Sequence, residues 1–179
     1  MINELKSYRT AITRKNISRP MQWISHWLGF DKWGTEGVDG YVSAPFTIDY
    51  GCGKGYDADH FGMYKIDPHY FPADHPPKGR AEIITCIYVL NVVNKATGKT
   101  IIKDIQSLLK NPEAGEGGNG MAYIAVRNDI EKNTDSQRKV KLHVMGWFGR
   151  GKHQNRGVLH EEPGFAIYQV GPYDRVTVS

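Results

Sequence analysis

The feature that most constrains this chain is the stretch Ala81-Glu-Ile-Ile-Thr-Cys-Ile-Tyr-Val-Leu90, a nearly continuous apolar run. A strand apolar on both sides must be covered on both sides, so the run predicts a central parallel strand between two layers. The surrounding pattern supplies those layers. Residues 20–30 place apolar side chains at 21, 23, 24, 27 and 28, one face of a helix, with Gly29 as its stop. Pro45–Tyr50 and Met63–Ile66 read as short strands. Residues 99–109 carry Ile101, Ile102, Ile105, Leu108 and Leu109 at helical spacing, and Met121–Val126 is a further strand. Near the end, Lys139–Met145 alternates and Gly164–Val170 returns, which predicts an antiparallel hairpin across the segment between them. The expectation is an α/β fold, one domain over residues 1–179, with a mostly parallel sheet and a C-terminal antiparallel hairpin.

The composition agrees with a folded core and narrows the setting. Hydrophobic residues make up 40% of the 179, enough to exclude a disordered tail. No apolar run approaches the roughly eighteen residues of a membrane span, and the start, Met1-Ile-Asn-Glu-Leu-Lys, lacks the apolar run of a secretory signal. Cys52 and Cys86 are too few for a disulfide framework and lack zinc-site spacing. A reduced, cytoplasmic protein without a membrane partner is expected, in a bacterial or phage-infected cell.

Charge is unevenly distributed. Residues 1–20 hold Lys6, Arg9, Arg14, Lys15 and Arg19 against Glu4, and residues 138–156 hold six basic residues and no acid. The net charge is only +4, so the remainder of the chain is acidic. Two basic segments on an acidic body suit contact with a polyanion, and nucleic acid is the expected partner through 1–20 and 138–156. Trp147 and Phe148 lie inside the second segment, where aromatic rings could stack on bases. A solvated, flexible loop accounts for the same composition.

The chemistry is expected at Asp49-Tyr-Gly-Cys-Gly-Lys-Gly55. A strand that ends in a glycine turn and opens a helix brings backbone close to a nucleotide. Glycine avoids a Cβ that would block the ligand or forbid the backbone angle. A short helix at 57–61 and a second strand ending in Asp67 complete the unit, with that carboxylate where ribose hydroxyls would be held. The turn reads G-x-G-x-G. A dinucleotide fold wants its third glycine one place later, where Tyr56 stands, and no P-loop lysine–hydroxyl pair follows a long glycine loop. A tight turn without ligand would carry the same glycines.

This turn resembles the S-adenosylmethionine (SAM) turn of class I methyltransferases, whose first strand ends in an acidic residue like Asp49. The likeness extends through Tyr8-Arg-Thr-Ala-Ile-Thr-Arg-Lys-Asn-Ile-Ser-Arg-Pro20, Asp67-Pro-His-Tyr-Phe-Pro72 and Tyr88-Val-Leu-Asn-Val-Val93. In that order the segments resemble methyltransferases encoded beside DNA phosphorothioation systems, and small phage methyltransferase-domain proteins, over roughly residues 8–130. The resemblance implies a Rossmann-like, SAM-binding domain with 1–20 as a basic arm. Carried over, Gly51, Cys52, Gly53 and Gly55 would line the cofactor. Asp49 would face its amino group and Asp67 its ribose. Cys86, Ile87 and Tyr88 would border the methyl or the adenine, and Asn91 would bond cofactor or substrate. Arg19 or Arg9 would pair with the carboxylate. Only thirteen residues separate Asp67 from Ala81, too few for the usual helix and third strand, so that region is expected to be reduced. His69, Tyr70 or Phe71 would then replace the missing adenine wall, or merely cap the core.

The catalytic side is sparser. Amino methyltransferases of bases carry an Asp/Asn-Pro-Pro-Tyr/Phe tetrad after the fourth strand, where this chain reads Cys86-Ile-Tyr-Val-Leu-Asn91. An ordinary DNA base methyltransferase is therefore disfavoured. His69, His143, His153, His160 and Asp129 are the candidate bases, and Arg127-Asn-Asp129 with Gln137 and Arg138 marks the tip of a later strand. Two functions follow as expectations. One is a SAM-dependent methyltransferase with nucleic acid as the leading acceptor. The other is a catalytically inactive binding protein on the same fold, of phage type, gripping nucleic acid or a host-defence partner. No metal is expected.

Overall fold

The computed structural model describes residues 13–29, 45–72, 76–111, 119–129, 140, 142–145 and 157–178. In these residues α1 (Arg19–Trp27) leads to β1 (Thr47–Tyr50), α2 (Tyr56–Phe61), β2 (Tyr64–Ile66) and β3 (Ile83–Ile87). A 3-10 turn at Val89–Asn91 and α3 (Lys95–Leu108) follow, then β4 (Met121–Val126), β5 (Leu142–Met145), β6 (Val158–Glu162), β7 (Phe165–Val170) and β8 (Arg175–Val178).

Six strands form one mixed sheet in the order β2-β1-β3-β4-β7-β6, and β5 pairs with β8 in a separate sheet. β1, β2, β3 and β4 are mutually parallel. β7 runs antiparallel to both β4 and β6, so β7 alone is reversed in a mostly parallel sheet. The expected α/β class and its parallel core are present.

The chain steps outward from β1 in one direction to β2 and in the other through β3 to β4. Right-handed crossovers moving in opposite directions must place their helices on opposite faces. The packing obeys that rule. Met21 and Ile24 of α1 and Ala58 and Phe61 of α2 pack with Ile83, Tyr123, Ala125, Phe165 and Ile167. Ile102, Ile105 and Leu108 of α3 pack with Ile48, Ile84, Cys86, Ile124 and Val170, joined by Leu142, Val144 and Val178 of the small sheet. Alternate residues of each strand thus enter opposite layers, and the apolar run at β3 is the middle of three.

Several boundaries differ from the pattern-based reading. Ser18 caps α1, its hydroxyl accepting from the Met21 N–H at 3.4 Å, so Arg19 and Pro20 belong to the helix and the arm ends at residue 18. Gly29 stands beyond the helix with φ 69°, the expected stop. α3 starts at Lys95 because the Asn94 side chain accepts from the Thr97 N–H at 2.9 Å. β3 stops at Ile87, since Tyr88 turns left-handed with φ 64°. The terminal hairpin is β6–β7, whereas the 142–145 strand pairs with β8. Between Asp67 and Ala81 the described residues hold only an isolated bridge, Asp67 to Phe71, and no helix or strand.

Candidate functional site

β1 and β3 are neighbours whose onward connections diverge, and at such a divergence the strand tips leave a crevice. A small cleft of about 40 Å³ opens there, lined by Arg14, Asp49, Gly51, Cys52, Lys54, Tyr56, Asp57 and Ile87. Strand parity explains the lining. Ile48 points to the α3 layer, so Asp49 points to the other side. There it lies beside its register partner Thr85, whose hydroxyl donates to Asp49 Oδ1 at 3.0 Å.

Asp49 is 4% exposed. Burial, reinforced by the nearby Asp57 carboxylate, raises its pKa from 3.8 to about 7, while the Thr85 hydrogen bond and Arg14 act the other way. The Cys52 thiol is pushed far up by burial and by Asp49 and Asp67, so it stays a protonated, weakly nucleophilic group.

The glycine turn is built differently from a phosphate cradle. The N–H groups of Gly51 and Cys52 both donate to the Ile66 carbonyl, at 2.6 and 3.2 Å, and the Gly55 N–H donates to the Cys52 carbonyl at 3.0 Å. The Gly53 N–H donates to Asp67 Oδ2 at 3.0 Å. Gly51, Gly53 and Gly55 all have positive φ, at 73°, 57° and 79°. A Cβ at Gly51 would collide with Val89, and one at Gly55 with Lys65 and Phe71. Close packing of the turn against its own neighbours therefore demands glycine at those two positions.

Asp67 stands at the tip of β2 facing the turn. Its Oδ1 accepts the N–H groups of His69 and Tyr70, at 2.9 and 3.0 Å. With Gly53 on Oδ2, three of a carboxylate's roughly four acceptor positions are filled. One remains on Oδ2.

The other expected residues divide. Ile87 lines the cleft, whereas Cys86 is fully buried in the α3 layer and does not. Tyr88, the only non-glycine residue with positive φ among those described, is half-buried. Its conformation costs about 1–2 kcal/mol, strain of the kind that collects at functional strand tips. Asn91 is buried, and its Oδ1 accepts the Arg127 N–H at 3.0 Å, while among the described residues Nδ2 finds no partner. That hydrogen bond fixes the amide's orientation. Arg127 forms a two-point pair with Asp129, both contacts 2.9 Å. Asn128 clamps the β6–β7 turn, donating to the carbonyls of Glu162 and Phe165 and accepting the Gly164 N–H at 2.9 Å.

Arg19 does not reach the cleft. It is held by Glu162 at 2.6 Å and lies over the Phe165 ring. Instead Arg14, not singled out by the sequence pattern, lines it. The signal was present in Ser18-Arg-Pro20, a helix start that places residue 14 one short segment ahead of α1. His69 packs edge-on against Tyr70, and Phe71 lies under Lys65, 4.7 Å from its ring centroid. His143 is on β5, exposed, and His160 stacks on Trp23 at 4.3 Å. His153, Gln137, Arg138, Arg9 and almost all of the second basic segment lie outside the described residues. Among those described, no group of three metal-ligating side chains comes together, and no helix is long and apolar enough to cross a membrane.

Compared with family models, curated proteins and solved structures, the chain finds no match in any of the three.

Proposed function

We propose that the chain is a SAM-dependent methyltransferase on a Rossmann-like fold, with nucleic acid the first candidate acceptor. The observation that carries this reading is the pairing of the glycine turn at the tip of β1 with Asp67 at the tip of β2. They are joined by the Gly53–Asp67 hydrogen bond and leave one acceptor position free on that carboxylate. A ribose hydroxyl is a donor of the right kind for it.

The donor set of the cleft separates ligand classes. A phosphate site needs unpaired N–H groups, and here the turn's amides at 51, 52, 53 and 55 already donate within the protein. The carboxyl groups of Asp49 and Asp57 line the cleft. Arg14 and Lys54 line it as well, so the mixed charges and occupied amides favour a zwitterionic ligand, and SAM carries a sulfonium, an ammonium and a carboxylate. When bound, SAM would supply an electrophilic methyl group: in-line attack on that carbon by an acceptor forms the new bond as the methyl–sulfur bond breaks and the neutral thioether leaves. The chain's own contribution is positioning: Asp49 faces the ligand's ammonium, Asp67 its ribose, and Ile87 and Tyr88 flank the tip where the acceptor enters. The order β2-β1-β3-β4-β7-β6 with β7 reversed suits a methyltransferase sheet that lacks its third strand, and the resemblance of the four sequence segments points the same way.

A catalytically inactive binding protein is favoured by one observation: none of the candidate bases His69, His143 and His160 is among the residues that line the cleft. Calorimetric titration with SAM and S-adenosylhomocysteine tests the proposal. Micromolar binding that weakens at least tenfold in Asp67→Ala supports it, and no heat from either ligand overturns it.

A further inference from the structure

Residues 13–18 form a strap across the glycine turn, and the strap is held without its arginine. Lys54 donates to the Thr13 hydroxyl at 2.5 Å, and the Tyr56 hydroxyl to the Lys15 carbonyl at 2.9 Å. Asp57 accepts the Ser18 N–H at 3.0 Å and the Ser18 hydroxyl at 2.6 Å. Arg14 contributes little to this arrangement. Its hydrogen bond to Asp57 Oδ2 is long, 3.4 Å, and goes to an oxygen that already receives the short Ser18 bond. A guanidinium has five donors in a planar fork, so among the described residues most of them have no partner. The side chain is only 25% exposed, and its head lies 5.9 Å from the centroid of the Tyr88 ring. By contrast, Arg19 and Arg127 each have a close carboxylate partner.

We propose that Arg14 recognises the carboxylate of an α-amino-acid-bearing ligand, making the cleft selective for the intact zwitterionic end of SAM. The assignment rests on the SAM reading of the site. The strap supplies a cation, and the tip of β1 supplies the Asp49 carboxyl. A ligand end bearing both ammonium and carboxylate meets both, whereas one bearing only an amine leaves the guanidinium unpaired. A planar fork on a carboxylate is a strong, directional contact.

The test is calorimetric binding of SAM and of decarboxylated SAM, which keeps the sulfonium and the amine. Wild-type protein is expected to bind SAM at least tenfold more tightly than the decarboxylated form. Arg14→Gln should lose about that factor on SAM and little on the decarboxylated form, so that the preference collapses. Arg14→Lys should recover part of it. Ser18→Ala, which loosens the strap without removing the guanidinium, should weaken both ligands alike. Equal affinity of the wild type for the two ligands overturns the assignment, as does an Arg14→Gln loss shared equally between them. If wild-type protein binds neither ligand, the SAM reading itself fails, an outcome distinct from the other two.

Discussion

Asp49 illustrates how one residue links the fold to the chemistry. Its place on β1 sends the carboxyl under the α1/α2 layer, where a single Thr85 hydroxyl bonds it and its pKa rises to about 7. The consequence has a definite sign. A carboxyl whose pKa is higher in the folded than in the unfolded chain favours folding at low pH. That contribution is complete below about 4 and is lost as pH rises through about 7. Above that range the ionised group is buried at a cost on the order of a few kcal/mol. Asp49→Asn keeps an acceptor for Thr85 but cannot ionise. Thermal melting should therefore show the variant close to the wild type near pH 4 and more stable by several degrees at pH 8. A difference independent of pH would contradict the burial argument. The ammonium-bearing ligand proposed for the cleft would draw the proton off, so its affinity should rise over the same range.

At the scale of elements, the tip of β3 is where local pattern and structure part company. Twelve uncharged residues follow Glu82 without a break, and nothing in that run marks the left-handed Tyr88 that ends the strand after Ile87. The strand turns there because the Tyr88 N–H donates to the Ala125 carbonyl and the next residues wind into the 3-10 turn that brings Val89 against Gly51. If the backbone is strained, removing the Cβ should help. Tyr88→Gly should be more stable than Tyr88→Ala by about 1–2 kcal/mol in urea unfolding, the reverse of the order at an ordinary position. Equal stabilities would mean that the conformation carries no strain. Elements with clear local signals were legible. Met121–Val126 is a full apolar strand flanked by polar turns, and the α1 face ends at a glycine. β6 and β8 were not, because Val158–Glu162 and Arg175–Val178 mix charge with short apolar pairs and are defined by their partners. The same dependence on distant partners explains why 142–145 joins β8 rather than 164–170.

At the scale of the whole molecule, the order of strands was not written in any one segment, but its main consequence was. A glycine turn after one strand and an aspartate after the next were readable from the chain, and the sheet brings Gly53 and Asp67 within 3.0 Å. What the sequence could not disclose was how the turn uses its amides, because their acceptors are the Ile66 carbonyl and the Asp67 carboxylate on another strand. Nor could it select Arg14 among the five basic residues of 1–20, since that choice depends on how the strap crosses the turn. The crevice between the tips of β1 and β3 is proposed to hold a sulfonium nucleoside. Electron density from crystals soaked with S-adenosylhomocysteine tests it directly. The ligand is expected across the glycine turn, with its ribose on Asp67 and its amino-acid end between Asp49 and Arg14. A crevice that stays empty at millimolar ligand, or density at some other surface, would contradict it.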